Sequence, residues 1–190
     1  CALPSSVHGF VPPGQIPKVE LFYFSQMTMF IATSSNDFSI VPKTGLWVLS
    51  FGEIDVRCLI YNQIHEKGRE EDEVINTLVD NYVSRLFSLH KDIAILSIVP
   101  PIDFFTGGYQ SNKNCSLFPF IGPDECRVRY TKKMNDRLKK NCQEKGLVFV
   151  DIYSPYVDDK GFLNKESSDG AIHIMKKGLA FEAMQKVGIY

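Results

Sequence analysis

Apolar residues recur along this chain in two rhythms, and the rhythms alternate. Near-continuous apolar runs stand at Gly45 to Phe51, Ile93 to Val99 and Leu147 to Ile152. Each is short, and the runs suit strands covered on both faces, as in parallel sheets. Between them the spacing changes. From Glu70 to Leu89 apolar residues return at Val74, Leu78, Tyr82 or Val83, Leu86 and Leu89. Steps of three and four predict a helix, and the acids crowding its start suit the helix dipole. A second helix is predicted from Asp124 to Lys145, opened by Pro123-Asp124 and ended by Gly146. Gly178 to Val187 predicts a short third one. Val19 to Phe24 reads as a further strand, and Thr33 to Pro42 as a polar turn.

This order predicts a single α/β domain over residues 1–190, a three-layer sandwich with a mainly parallel, flavodoxin-like sheet. Such sheets are normally built around a central first strand. Nothing before Val19 reads as one, so the first strand is expected to be missing or truncated. The stretch from Ile102 to Pro123, rich in Gly, Asn, Ser and aromatic residues, is long for a loop in a compact domain. Loops of that length often serve as lids or binding elements.

Composition narrows the function classes. The apolar share is 44% and the charged share 23%, as in ordinary globular proteins. No apolar stretch approaches the roughly 20 residues that cross a bilayer, and the first residues lack a secretory layout. A cytoplasmic protein without a membrane partner is expected. Net charge is −1. The basic cluster from Arg127 to Lys145 also carries Asp136 and Glu144, and reads as a solvated helix face, not a nucleic-acid patch. The five cysteines are odd in number and contain no CxxC pair, so neither a zinc site nor a disulfide framework is expected. Cys115 and Cys126 flank a loop and are the pair that an oxidising compartment would join. Nothing in the pattern speaks to oligomeric state.

Two segments carry candidate chemistry. The run at Trp47 stops at Gly52 and opens into Glu53, Asp55 and Arg57 at alternate positions. On an extended backbone these three side chains would point the same way, at the strand end where open α/β sheets bind ligands. Far downstream stands Ser168-Asp169-Gly170-Ala171-Ile172-His173. A carboxylate and an imidazole on such a turn can form an orienting hydrogen bond that fixes the ring tautomer; the same pair can equally cap a short helix and pack at its base. Among the four histidines, His90 closes the Glu70 helix and His65 lies in a charged stretch. His8 and His173 remain as candidates for chemistry.

Phe51-Gly52-Glu53-Ile54-Asp55-Val56-Arg57 and Ser168-Asp169-Gly170-Ala171-Ile172-His173-Ile174 resemble two signature blocks of an SGNH/GDSL-hydrolase-like family whose members are often linked to surface-glycan synthesis. Val99-Pro100-Pro101, Arg127-Val128-Arg129, Asn135 and the Leu147-to-Tyr153 strand fit as well. The resemblance covers about Val19 to Ile174. It implies a serine esterase or acyl-transfer enzyme that needs no metal or organic cofactor. His173 would be the base, Asp169 its orienting acid, and Gly52, Glu53, Asp55 and Arg57 would bind substrate or oxyanion.

The chain also departs from the family. Ile54 stands where a GxND block has its oxyanion-hole asparagine, and it has no side-chain donor. Asp169 and His173 are four apart, where the family has three. Pro4-Ser5-Ser6-Val7-His8 offers Ser6 or Ser5 as the nucleophile of the first block, unless that block lies upstream of Cys1. The expected substrate is a small-molecule or glycan ester. Two rivals stand beside this reading: a degenerate hydrolase-like module that binds a glycan or phosphorylated ligand without turnover, and a flavodoxin-like regulatory domain, which no phosphate-cradling glycine loop supports.

Overall fold

The computed structural model describes residues 22, 24, 27–35, 37–107, 118–169, 172–176 and 178–189. Three strands form one sheet: β1 (Trp47–Leu49), β2 (Ile93–Leu96) and β3 (Val148–Val150). They lie in the order β1-β2-β3 and all pairs are parallel, with Trp47 opposite Ile93 and Ala94 opposite Val148. The helices are α1 (Met29–Ser34), α2 (Ile60–His65), α3 (Glu71–Leu89), α4 (Asp124–Lys145) and α5 (Gly178–Lys186).

Alternation along the central strand assigns the layers. Ile93 and Ile95 join Trp47 and Leu49 in a core with Ile75, Val79, Tyr82, Val83 and Leu86 of α3 and Tyr130, Met134 and Leu138 of α4. Ala94 and Leu96 face the other way and pack with Val150, Ile152 and the Ala183 and Met184 side chains of α5. Successive strand residues point to opposite faces, and here both faces are covered. That is why the β2 sequence is apolar at every position. The result is the three-layer α/β sandwich with a parallel sheet that the pattern predicts.

The predicted helices stand within a residue or two of their expected ends. Gly146 takes the left-handed conformation (φ 67°), and its N–H reaches back to the carbonyls of Cys142 and Gln143, closing α4. Among the described residues no helix is long and apolar enough to cross a membrane. The strand expected at 19–24 lies mostly outside the described residues.

Two expectations need correction. Of the polar turn expected at Thr33 to Pro42, Thr33 and Ser34 belong to α1, and the rest holds a 3₁₀ turn, Asp37–Ile40. Thr28 nucleates α1 by accepting the Ile31 N–H on its hydroxyl at 3.0 Å. More importantly, the backbone after Gly52 is helical, not extended. Gly52 has φ 111°, which turns the chain off the strand, and the Val56 N–H then bonds to the Gly52 carbonyl at 3.0 Å. Asp55–Leu59 continue as a wide π-helical turn into α2. Single π turns inside helices are uncommon and recur at functional sites.

Candidate active site

The helical turn after β1 separates the three charged residues of the first segment. Glu53 and Arg57, four apart, share one helix face and form a two-pronged ion pair, Nε to Oε1 at 2.6 Å and Nη2 to Oε2 at 3.1 Å. Arg57 is buried, and its Nη1 donates to the carbonyl of Phe118. Its own carbonyl accepts the Ile121 N–H at 3.0 Å. The side chain thus ties the end of the long loop to the start of the helix.

Asp55 points elsewhere. It is fully buried, and its Oδ2 accepts the Met29 N–H at 2.8 Å, with the Phe30 N–H 3.5 Å from Oδ1. Burial pushes its carboxyl up to about 6, while the α1 amides pull the other way. Asp55 therefore docks α1 and does not join Glu53 and Arg57 at the strand end. A helix rotates position 55 about 160–200° from 53 and 57, whereas a strand would have kept all three aligned. Gly52 is buried under the same junction. A Cβ there would lie 2.6 Å from the Ile98 Cδ1 and 2.8 Å from the Met29 Cε.

Asp169 and His173 do meet. The His173 Nδ1 lies 2.7 Å from the Asp169 Oδ2, and the His173 backbone N–H donates to Oδ1 at 3.3 Å. A small antiparallel bridge, Ser168 to Ile174, closes the turn beneath them, and Met175 N–H bonds to the Ser167 carbonyl at 2.8 Å. The Ser168–Ile174 bridge thus brings both Asp169 carboxylate oxygens to one histidine across the four-residue spacing. Both side chains are partly exposed, at 41% for His173 and 28% for Asp169, so the dyad can reach a solvent-borne substrate.

A cleft links the two segments. Its walls include Glu53, Arg57, Pro101, Phe120, Arg127 and Ile172. Ile172 is the residue immediately before His173, so the dyad turn and the Glu53–Arg57 pair border the same opening. The strand end behind it is firmly held. Asn135 pairs its amide with both backbone groups of Ile98, accepting at 2.7 Å and donating at 2.9 Å. The Ser97 hydroxyl accepts the N–H groups of Ile152 and Tyr153 at 2.9 and 2.8 Å.

Arg127 is a site residue that periodicity alone did not single out. It is 1% exposed, pairs with Asp124, and donates to the Gly122 carbonyl at 2.7 Å. Burial lowers its guanidinium to about 10. Asp124 in turn accepts from the N–H groups of Phe105 and Thr106, both at 2.9 Å. Arg127-Val128-Arg129 fitted the resemblance, and Asp124 stands three residues before Arg127 at the helix start. Within a charge-rich helix that spacing is indistinguishable from a surface pair.

His90 is structural, its Nε2 2.7 Å from the Gly45 carbonyl and its ring stacked on Trp47. His65 is exposed and stacks on Tyr61. Ser5, Ser6, His8, Cys1 and Cys115 lie outside the described residues, as do Gly170 and Ala171 of the dyad turn. Cys126 and Cys142 are free thiols.

No protein-family model matches the chain, and neither does any curated protein. Solved structures do resemble it. A candidate acylhydrolase from Bacteroides fragilis superposes with a TM-score of 0.51 at 17% identity, over 85% of this chain and 67% of that one. A protein described as a candidate platelet activating factor from Streptococcus pneumonia gives 0.52 at 15% identity, over 84% and 67%. At such identities the likeness is one of fold.

Proposed function

We propose that this chain is an acyl-ester hydrolase or acyl-transfer enzyme of the SGNH kind, with His173 as general base and Asp169 as its orienting acid. One observation carries the reading: the 2.7 Å His173–Asp169 contact sits on a turn whose Ile172 walls the cleft beneath Glu53 and Arg57. The acylhydrolase-like fold of the solved neighbours supports it.

In this reading a serine Oγ bonds to the ester carbonyl carbon as the His173 Nε2 takes its proton. The tetrahedral oxyanion collapses, the alcohol leaves with that proton, and an acyl-enzyme remains. Water, or a sugar hydroxyl, then attacks by the same route and regenerates the serine. Asp169 holds the ring with Nδ1 protonated and stabilises the imidazolium while it exists. Ser6 is the expected nucleophile, with Ser5 beside it.

Oxyanion stabilisation falls to backbone N–H groups. Ile54 is buried and offers no side-chain donor, and the Arg57 guanidinium is engaged by Glu53 and the Phe118 carbonyl. Loss of one preorganised donor costs about 3 kcal/mol of transition-state stabilisation. This favours the second reading: a degenerate module of hydrolase fold that binds a glycan or phosphorylated ligand without turnover.

Hydrolysis of p-nitrophenyl acetate by the full chain, beside His173→Ala, separates the two. A rate that drops at least 100-fold in the variant supports the enzyme; equal rates leave the binding module. Labelling with a fluorophosphonate and mapping of the modified peptide identifies the serine.

A further inference from the structure

We propose that Tyr156 is a positioning residue for the Asp169–His173 pair: its buried hydroxyl clasps the limb of the turn that carries His173. The inference rests on the reading above only where it concerns turnover.

Tyr156 stands on the turn that follows β3. The start of that turn is tied to the end of β2, because the Ser97 hydroxyl accepts the N–H groups of Ile152 and Tyr153. The Tyr156 N–H then bonds to the Tyr153 carbonyl at 3.1 Å. The sheet thus sets the place of Tyr156, and from there the residue reaches both limbs of the dyad turn. Its backbone carbonyl accepts the Asn164 N–H at 2.9 Å. Asn164 caps the 3₁₀ turn Lys165–Ser167, which leads into Ser168 and Asp169. Its hydroxyl donates to the Lys176 carbonyl at 2.6 Å and accepts the Ala180 N–H at 2.9 Å. Lys176 follows His173 by three residues, and Ala180 lies in the first turn of α5. One side chain therefore joins the exit of the dyad turn to the helix behind it.

The ring is as well placed as the hydroxyl. Tyr156 is fully buried and forms a small core with Ile102 and Leu163. Ile172 and Ile174, the neighbours of His173 on either side, pack against that core. The Leu163 N–H bonds to the Pro101 carbonyl at 2.8 Å, and Pro101 and Ile102 line the cleft. The same residue thus relates the dyad turn to the cleft wall. Burial pushes the phenol above its ordinary range, while the Ala180 N–H pulls the other way. The hydroxyl stays protonated wherever the imidazole is neutral enough to act as a base, and so remains a donor to Lys176. Asp169 and His173 are partly exposed, so their geometry depends on the turn beneath them. A misplacement of about 1 Å can cost about 100-fold in rate.

The test is Tyr156→Phe, which keeps the ring and removes the clasp. Tyr153→Phe is the control, since its hydroxyl bonds to the Gly161 carbonyl, away from the dyad turn. Both are checked for folding by circular dichroism. In Tyr156→Phe the ¹⁵N shifts of the His173 ring at pH 9 are expected to move from the Nδ1-protonated form toward the ordinary mixture of tautomers. In Tyr153→Phe they stay in place. With p-nitrophenyl acetate, Tyr156→Phe should lose about tenfold in kcat with KM within about twofold, and Tyr153→Phe should match the wild type. Hydrogen exchange of the wild-type chain needs no variant and stands if Tyr156→Phe does not fold. The Ala180 N–H, which donates to the clasp, and the Met175 N–H, which closes the turn on Ser167, should open together, with protection within about threefold of each other. Unmoved His173 shifts in a folded Tyr156→Phe, an unchanged kcat against an active wild type, or a Met175 N–H that opens while the Ala180 N–H stays closed would overturn the proposal. A wild-type chain that shows the ring shifts but hydrolyses no ester removes the enzyme reading and leaves Tyr156 as the residue that positions the pair.

Discussion

Asn135 holds the backbone of Ile98 by both of its polar groups, its Oδ1 accepting the N–H at 2.7 Å and its Nδ2 donating to the C=O at 2.9 Å. The amide of a helix residue thus takes the place of a neighbouring strand just where β2 ends. Val99 to Ile102 run on from there along the cleft wall. Asn135→Ala leaves two buried backbone groups without partners, and each costs about 1–3 kcal/mol. A loss of about 2–4 kcal/mol in urea unfolding is expected. A change within 0.5 kcal/mol, the ordinary range for a surface substitution, would show that Ile98 finds other partners.

Asp55 makes stability depend on acid. Its carboxyl titrates near 6 in the folded chain against 3.8 when free. Between those values the folded state holds a proton that the unfolded state has released, so stability falls as pH rises from about 4 to about 6. The difference corresponds to at most about 3 kcal/mol. Asp55→Asn keeps an acceptor for the Met29 N–H and removes the buried charge. Unfolding free energies at pH 4, 5, 6 and 7 should lose much of their downward slope in the variant. An unchanged slope would place the proton elsewhere.

Gly52 is required twice, by its φ of 111° and by the Ile98 and Met29 side chains that occupy the space of a Cβ. Gly52→Ala is expected to lower stability by about 2–4 kcal/mol through strain and overpacking together. Ile98→Ala cannot restore the backbone strain, so the double variant should remain less stable than Ile98→Ala alone. Equal stability of those two would leave sterics as the sole reason for glycine.

The carboxylate of Asp169 faces the His173 Nδ1 at 2.7 Å. A neutral ring held this way carries its proton on Nδ1. Nitrogen chemical shifts of the His173 ring at pH 9 should report that tautomer in the wild-type chain. In Asp169→Ala they should move toward the ordinary mixture of tautomers. Identical shifts in both would remove the orienting role.

Much of this architecture was legible in the pattern of side chains. The aliphatic run at Ile93 suits a strand covered on both faces, because six of the seven positions from Ile93 to Val99 are apolar and Pro100-Pro101 stops it. The helix at Glu71 was equally plain from its three-and-four spacing and the acids at its start, and the helix at Asp124 from Pro123-Asp124 at one end and Gly146 at the other. Asp169 and His173 could be paired because they are local, joined by a turn of five residues.

The segment after Gly52 was not legible, for a reason of geometry. Positions 53 and 57 share a face both in a strand, where the period is two, and in a helix, where four residues make about one turn. Only position 55 distinguishes the two, and its side chain answers to Met29, 26 residues earlier. Arg127 was hidden in the same way among the charges of its helix, because burial of a basic residue depends on what packs over it.

Local rhythm and turn chemistry determined the layers, the strand direction and the dyad, because those follow from nearest neighbours along the chain. Tertiary structure decided that Asp55 is a docking group, that Arg57 braces the loop, and that Ile172 and Arg127 border one cleft. Those outcomes turn on which distant backbone amides and carbonyls come within 3 Å of a given side chain, a relation set only by the folded packing.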